Sequence, residues 1–300
     1  MSDLYSGKNQ ERGVRSFFRE IKRQIILTIH MTWRNLQVDY AYKFQLFVDL
    51  SWIAIDIAIF SIWGGLIGDA GGNTGLNATT YLLVTVAFWV WLGKAYDDTI
   101  IALQEEAARG TIGFLVTNNI SITIILIARF IATTFKTTIM TFFVIIPVLW
   151  LFGIIQLTNI SLQAWIIVFL AFMISWGFMI AFSTLVASLN IIFKRIGALG
   201  GMLLAGLKVA SGYYFPLSRF QGPETPVFVR FLINLCFLLP TTQGAEITRR
   251  VLGGGNYDIK LLLGMLSALT TGTVVMLIFA IIVVKKLTDK SRYWGTLEQY

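Results

Sequence analysis

The chain has 300 residues, of which 56% are hydrophobic and 13% charged, with a formal net charge of +8. Soluble domains are about 45–50% apolar and 25% charged, so this composition excludes an ordinary soluble domain. The single cysteine, Cys236, excludes an intrachain disulfide, and the single histidine, His30, excludes a multi-histidine metal site. We attribute the positive charge to the flanks of membrane helices rather than to a nucleic-acid partner.

The N-terminal segment, residues 1–43, predicts an amphipathic helix that lies in the membrane interface. Apolar residues recur along it at helical spacing, and charged residues occupy the opposite face. The apolar set is Val14, Phe17, Phe18, Ile21, Ile25, Ile26 and Ile29, and the charged set is Arg15, Arg19, Glu20, Lys22 and Arg23. A surface helix that packs on a soluble partner has the same pattern, and the two interpretations can both hold.

Six long apolar stretches follow within residues 44–284, and each predicts a transmembrane helix. A helix needs about 20 apolar residues to cross the hydrocarbon core, and a backbone in lipid must pair its amides within its own segment. The stretches are Phe44–Trp63, Tyr81–Leu103, Ala132–Phe152, Trp165–Ala187, Gly197–Phe215 and Leu261–Val284. The predicted fold is an all-α polytopic membrane protein with short outside helices between spans five and six, and residues 285–300 form a tail.

The loops between these stretches alternate in positive charge. Lys and Arg are found in the N-terminal segment, in Gln104–Ser121, in Asn190–Ile196 and in the tail, whereas Gly64–Thr80 and Gly153–Gln163 have none. The positive-inside rule therefore places both termini in the cytoplasm of a cell whose plasma membrane holds the protein. The loop Pro216–Lys260 carries basic residues although we predict it outside, because long translocated segments follow the rule poorly.

Charged residues inside the spans admit two interpretations. A membrane-embedded transferase would use carboxylates as metal ligands, with Asp49, Asp56 and the Asp97–Asp98 pair as candidates. An ion pair between Lys94 and the Asp97–Asp98 pair on the same helix is the simpler account, and we expect no metal and no catalytic residue in this chain. Asp56 and Lys208 lie deeper, where an unpaired charge is costly, so they either face a polar cavity or pair across helices.

Small residues line one face of the fifth predicted span. Gly197, Gly201 and Ala205 are four residues apart, a spacing that lets another helix approach closely. The contact is either packing within one subunit or a subunit interface that opens and closes. The aromatic residues Phe88 and Trp91 on the second predicted span suit an apolar solute. Together these five residues are our candidates for a translocation path.

Two stretches resemble the membrane subunits of type 2 ABC exporters. The first, residues 105–121, reads EEAARGTIGFLVTNNIS and has the family's acidic residues, Gly-Thr step and apolar turn. Asn118 and Asn119 stand where the family commonly has a proline. The second stretch has an aromatic exit from the fifth span that ends at Pro216. It continues with a turn at Pro240 and Thr241 and a short helix that carries Glu246 and Arg249.

This resemblance implies a permease subunit that moves a lipid-like, drug or glycan cargo out of the cytoplasm by alternating access. It implies a pair of such subunits, a homodimer rather than a heterodimer, and two copies of a separate ABC ATPase. The sequence has no Walker pattern, so ATP and Mg²⁺ are expected on that partner. The expected ATPase contacts lie on a short helix over Glu105–Leu115 and are Glu105, Glu106, Arg109, Gly110, Thr111 and Phe114. A secondary transporter or channel is the alternative; an inverted repeat would favour it, and none is evident.

Overall fold

The computed structural model of the chain describes residues 2–68, 76–111, 114–115, 118, 120–155, 160–189, 197–222, 224–254 and 257–294. These residues fold almost entirely into helices, which confirms the all-α prediction. We number them α1 (Ser2–Ala41), α2 (Lys43–Ile67), α3 (Ala78–Ala108), α4 (Ile122–Leu151, with a π-helical turn at Thr141–Ile145), α5 (Leu162–Ser188), α6 (Gly197–Ala210), α7 (Val227–Cys236), α8 (Pro240–Leu252) and α9 (Ile259–Trp294). Ser121 and Ser161 cap α4 and α5, because their hydroxyls accept the amide protons of Ile124 and Ala164.

Five helices in the described residues are long and apolar enough to cross a membrane, namely α2, α3, α4, α5 and α9. They confirm that five of the six predicted spans lie on helices of sufficient length and apolar character. The predicted span Gly197–Phe215 is wrong in extent, because α6 has 14 residues and ends at Ala210. At 1.5 Å per residue it is about 21 Å long, short of the roughly 30 Å of a hydrocarbon core. The other helical candidate for a sixth span is the α7–α8 pair, which bends by 87°.

Helix α3 is the centre of the bundle. Of the residues in its apolar stretch 78% are buried, compared with 17% for α2 and 22% for α9. Helices α2, α4, α5, α6 and α8 all pack on it. The outer surfaces of α2 and α9 expose large apolar side chains, including Phe47, Trp52, Ile62, Val275 and Phe279. Such surfaces are expected of helices that contact lipid or a second subunit.

Helix α1 packs lengthwise on α4 and exposes a second apolar face on the surface of the subunit. On the packed face the Thr32 hydroxyl donates to the Ala128 carbonyl over 3.4 Å, and Met31 is buried. The other face exposes Ile25, Ile29 and Trp33. The N-terminal segment therefore contains a helix, and the predicted apolar residues from Ile25 onward are left exposed by the rest of the subunit.

The chain after α5 runs along α3 from Ile100 to Tyr81. We call the end of the bundle where α3 begins the Tyr81 end, and the end where α3 finishes the Glu105 end. Gly200 packs on Ile100 near the Glu105 end. From there to the Tyr81 end, three hydrogen bonds join this segment to α3. They run from the Tyr96 hydroxyl to the Gly200 carbonyl (3.1 Å), from Trp89 Nε1 to Ser211 Oγ (2.6 Å), and from the Leu217 amide to the Tyr81 hydroxyl (3.3 Å). From Ile100 to Tyr81 is about 28 Å along α3.

Helix α7 begins, and helix α8 ends, at the Tyr81 end. Arg230 on α7 donates to the carbonyls of Gly222 and Thr225, just after the chain has reached that end. The bend between the two helices lies beside α9, where Pro240 packs on Gly272, the fourteenth of the 36 residues of that helix. Helix α8 then returns, and Gly253 at its C-terminus packs on Leu76 and Thr80. Short helices therefore follow the fifth predicted span, as the sequence predicts. Helix α8 packs into the bundle, whereas α7 packs on the turn Leu217–Gln221 and exposes Val227 and Phe228.

Candidate functional site

A buried arginine joins α8 to α3 and to the segment after α6. Arg249 has no exposed side-chain surface. Its guanidinium donates to Thr85 Oγ1 (2.6 Å), the Tyr81 hydroxyl (2.8 Å), Glu246 Oε2 (3.2 Å) and the Ser211 carbonyl, and it lies 4.0 Å from the centre of the Tyr81 ring. Glu246 also accepts from Arg250 over 2.8 Å. The predicted pairing of Glu246 with Arg249 is confirmed, and its contacts hold three elements together.

The prolines and the threonine that we singled out in this region are placed as the sequence predicts. Pro240 and Thr241 form the first turn of α8, where a missing amide proton costs nothing. Pro216 follows the irregular segment after α6, in which Gly212 has a φ of 72°. These residues shape the backbone at the bend and at the exit from α6.

Four helices meet at a second site near the Glu105 end, which we call the ion-pair cluster. It comprises Asp39 of α1, Asp49 of α2, Lys94 and Asp98 of α3, and Arg129 and Lys136 of α4. The closest contacts are Arg129–Asp39 (3.0 Å), Lys136–Asp49 (3.2 Å), Lys94–Asp98 (3.4 Å), Arg129–Asp98 (3.4 Å) and Lys94–Asp49 (3.7 Å). The predicted pair on α3 is confirmed for Asp98. Pairing of this density lets charges lie within an apolar bundle.

The same contacts bear on the metal-ligand interpretation. Asp49 and Asp98 each contact two basic side chains, so their charges are already compensated. Nowhere in the described ranges do three or more acidic, histidine or cysteine side chains form a group that could hold a metal ion. The spacing of Asp49 and Asp56 on one helix face, which suggested a transferase, instead places both on the wall of one cavity.

A cavity of about 360 Å³ lies next to the cluster, between α2, α3, α4 and α6, and we call it the Asp97 cavity. Asp56 accepts a hydrogen bond from the Tyr213 hydroxyl over 3.2 Å, and Lys208 Nζ lies 5.0 Å from the centre of the Tyr213 ring. Asp56, Asp97 and Lys208 all line this cavity. The structure therefore supports the interpretation that Asp56 and Lys208 face a polar cavity, which residues of several helices line together.

Asp97 differs from its neighbour Asp98 in its surroundings. Asp98 is buried in the ion-pair cluster, whereas Asp97 is exposed and makes no ion pair or hydrogen bond with the described residues. Lys208 likewise has no carboxylate within 4 Å in that part of the chain. The cavity therefore holds charged groups that the subunit itself leaves largely uncompensated.

The residues that we expected to line a translocation path separate into two groups. Phe88 and Trp91 lie inside the subunit, with 0% and 4% of their surface exposed, so the prediction that they face an open path is corrected. Both pack on Phe172 of α5, because α3 is the central helix. Gly197, Gly201 and Ala205 lie on the exposed face of α6, and a side chain at Gly201 would meet no atom within 4 Å. That stripe is not packing within one subunit.

The expected coupling residues surround the end of α3. Glu105 and Glu106 belong to the last turn of α3 itself, so the predicted separate helix Glu105–Leu115 is wrong. The helix ends because Gly110 has a φ of 67°. Glu106 is buried and binds Arg34 of α1 and the Thr111 hydroxyl. Arg109 lies 3.6 Å from Glu105, and Phe114 is 70% exposed.

Sequence reasoning missed Asp39 and Tyr213 as members of these sites. It also did not connect Arg129 and Lys136 with any partner. A signal was present, since each is polar within a largely apolar stretch and such residues need a partner. Their partners lie far away in sequence, which hydropathy alone cannot reveal. Comparison of the chain with protein-family models and with curated proteins gives no match.

Proposed function

We propose that this chain is the permease subunit of an ATP-driven exporter of the type 2 ABC kind. The observation that carries the proposal is the segment from α6 to α9. An aromatic exit, a Pro-Thr turn and a helix with a Glu–Arg pair follow one another there as the resemblance implies. The structure adds that this helix lies within the bundle and is held by Arg249. The order of a leader helix, four long helices, this segment and a last long helix supports the same proposal.

We infer that the membrane is crossed six times, with α6 and the residues after it as the fifth crossing. The path from Ile100 to the Tyr81 end supports this, since it covers about the thickness of a hydrocarbon core. Irregular backbone within a membrane is tolerated where protein surrounds it, and Ser211 and Tyr213 are buried. The α7–α8 pair then dips into the membrane from outside and returns. The basic residues at the Glu105 end support a cytoplasmic location for that end and for both termini.

Cysteine labelling tests this topology. In a Cys236→Ser background, we expect Gly222→Cys and Asp258→Cys to react with a membrane-impermeant maleimide added to intact cells. Ala108→Cys should react only after the cells are opened. If α7 and α8 together formed a span, positions 222 and 258 would lie on opposite sides, and only one of them would be labelled in intact cells.

The face formed by α6 and α2 is the proposed contact with a second copy of the subunit. The Gly197, Gly201 and Ala205 stripe supports it, because small residues let helices from two subunits approach closely. The Asp97 cavity lies between these two helices, so a second subunit there would enclose it. Movement of α6 relative to its symmetry mate would open the cavity alternately to the two sides. The cargo path would then run between the subunits rather than through the core of one.

The Glu105 end is the proposed contact with the ATPase. Phe114 supports this, since a large apolar side chain that is 70% exposed beside the end of α3 suits insertion into a groove. Arg34 and Glu106 link the end of α3 to α1, so a displacement of one helix by the ATPase would be transmitted to the other. The ATPase would hydrolyse ATP and drive the subunits between inside-open and outside-open states.

Replacing Phe114 tests the coupling. We expect Phe114→Asp to lower copurification of the ATPase and cargo-stimulated ATP hydrolysis by about tenfold or more, as loss of an interface hot spot does. The matched control is Phe152→Asp, which changes a phenylalanine that is 76% exposed at the opposite end of the bundle. Equal loss in both variants, or none in Phe114→Asp, would place the ATPase contact elsewhere.

A secondary transporter is the second candidate, and the charged groups of the Asp97 cavity favour it, because intramembrane carboxylates commonly carry coupling ions. Reconstituted vesicles that contain only this chain distinguish the two. The permease proposal predicts no transport driven by a proton or sodium gradient alone, and transport with the ATPase and ATP present. Gradient-driven transport by the chain alone would establish the second candidate.

A further inference from the structure

A second cavity of about 380 Å³ adjoins the Asp97 cavity, between α1, α2, α3 and α4 at the ion-pair cluster. Among the described residues, the charged side chains that line the two cavities do not balance. Six carboxylates line them, from Asp39, Asp49, Asp56, Asp97, Asp98 and Glu105. Five basic side chains line them, from Lys94, Arg109, Arg129, Lys136 and Lys208. One negative charge is therefore left over in a region surrounded by apolar helices. A charge in such a place needs a partner of opposite sign.

The ion pairs locate that surplus. Asp39, Asp49, Asp98 and Glu105 each lie within 4.0 Å of at least one basic side chain, and together they occupy Lys94, Arg109, Arg129 and Lys136. Asp56, Asp97 and Lys208 remain, and all three line the Asp97 cavity. Two carboxylates thus share one ammonium group, which itself lies over the Tyr213 ring. The surplus negative charge belongs to this cavity.

The remaining walls of the cavity suit an organic cation. Trp52, Trp89 and Tyr213 line it, and the faces of such rings attract ammonium groups. Ile53, Val90 and Met140 add apolar side chains to the lining. Trp52 is 63% exposed, and the apolar surface of α2 continues from it toward Ile55 and Ile59. A volume of about 360 Å³ exceeds that of a small ammonium group, and the surface next to it accepts an alkyl chain.

We propose that the Asp97 cavity binds the ammonium group of a cationic amphiphile, with Asp97 and Asp56 as its counter-ions and the alkyl tail along α2. Given the proposed function, this ligand is the cargo, so the cargo class is a lipid-like or drug-like amine. Lys208 then competes with the ligand as the other positive charge that lines the cavity beside the two carboxylates. The fold of the subunit does not depend on the ligand.

Calorimetric titration of the full-length chain in maltoside micelles tests the charge preference. The probes are dodecyltrimethylammonium, dodecanol and dodecyl phosphate, which share one alkyl chain and differ in charge. We expect the cation to bind about tenfold or more tightly than either of the others, and high salt to reduce the difference. Equal binding of the three probes, or preference for dodecyl phosphate, overturns the proposal.

Two variants should change binding of the cation in opposite directions, and a third is the control. Asp97→Asn should weaken binding of the cation by about tenfold, since it removes a counter-ion from an exposed position. Lys208→Met should strengthen that binding, because the competing ammonium is gone. Asp258→Asn, an exposed carboxylate on the loop before α9, should change nothing. A purely structural Lys208 predicts the reverse, with a lower unfolding temperature and weaker binding of every probe.

Failure of this proposal and failure of the proposed function are distinguishable. The titration uses neither nucleotide nor ATPase, so a lost charge preference leaves the Phe114 prediction standing. Conversely, a cation preference that persists while no ATPase copurifies would retain the cavity and reject the permease. If a proton or a residue of a second subunit met the surplus charge, Asp97→Asn would leave binding of the cation unchanged, and that result also overturns the proposal.

Discussion

Replacing Arg249 with methionine is expected to lower the free energy of unfolding by about 3–5 kcal/mol, the usual cost of removing one partner from a buried ion pair. The loss is large because four acceptors depend on this guanidinium. Glu246 keeps Arg250, but Thr85, Tyr81 and the Ser211 carbonyl lose a donor in a place that water does not reach. Helix α8 would then lose its polar link to α3. Thermal and denaturant unfolding of the purified chain in micelles measures the effect.

Arg250→Met is the matched control, because it removes a neighbouring arginine from the same carboxylate. The Arg250 side chain is 16% exposed, whereas that of Arg249 is 0% exposed. We expect the control to lose about 1 kcal/mol or less, as for a partly exposed pair. Arg249→Lys should lie between the two, since lysine keeps the charge but not the planar fork. If Arg249→Met were no less stable than Arg250→Met, the network would not hold α8 in place.

The fold was predictable wherever one local property decided it. Hydropathy alone located α2, α5 and α9, because a helix that crosses lipid must be apolar over about 20 residues. Hydropathy alone could not show that α3 is the central helix of the bundle. Helix α3 is the least apolar of the five long helices, with a hydropathy of 1.3, and the most buried, whereas α9 has 2.4 and is mostly exposed. In a membrane, the protein interior rather than the surface accommodates polar groups.

The candidate sites were predictable only in their local parts. The Lys94–Asp98 pair and the Glu246–Arg249 pair join residues three or four apart on one helix, which sequence spacing reveals. The contact between Asp39 and Arg129 joins residues 90 apart and requires the fold. The end of α6 was missed because the residues after Ala210 remain apolar, so composition did not distinguish a helix from irregular backbone packed on α3. Phe88 was placed on a path for its aromatic character, but its burial depends on α5 and α8.

Substitutions at two adjacent glycines of α6 should distinguish packing within a subunit from association between subunits. A side chain at Gly200 would lie 2.7 Å from Ile100 Cδ1, whereas one at Gly201 would meet no atom of the same subunit within 4 Å. Gly200→Leu should therefore destabilise the subunit by about 1–3 kcal/mol through overpacking. Gly201→Leu gains the same helix propensity without the clash. We expect it to leave the unfolding temperature of the subunit unchanged or slightly higher.

The effect of Gly201→Leu should appear where two subunits meet. In a symmetric dimer the substitution enters the interface twice, and an overpacking cost of about 1–3 kcal/mol lowers the association constant by about tenfold or more. The fraction of dimer in nanodiscs and transport should fall together. The control is Gly264→Leu on α9, where an added side chain also meets no atom within 4 Å. Crosslinking of Gly201→Cys in the Cys236→Ser background places the contact directly. A dimer that forms normally, with Gly201→Leu active and no crosslink at position 201 in any nucleotide state, would exclude α6 from the interface and move the cargo path to another face of the subunit.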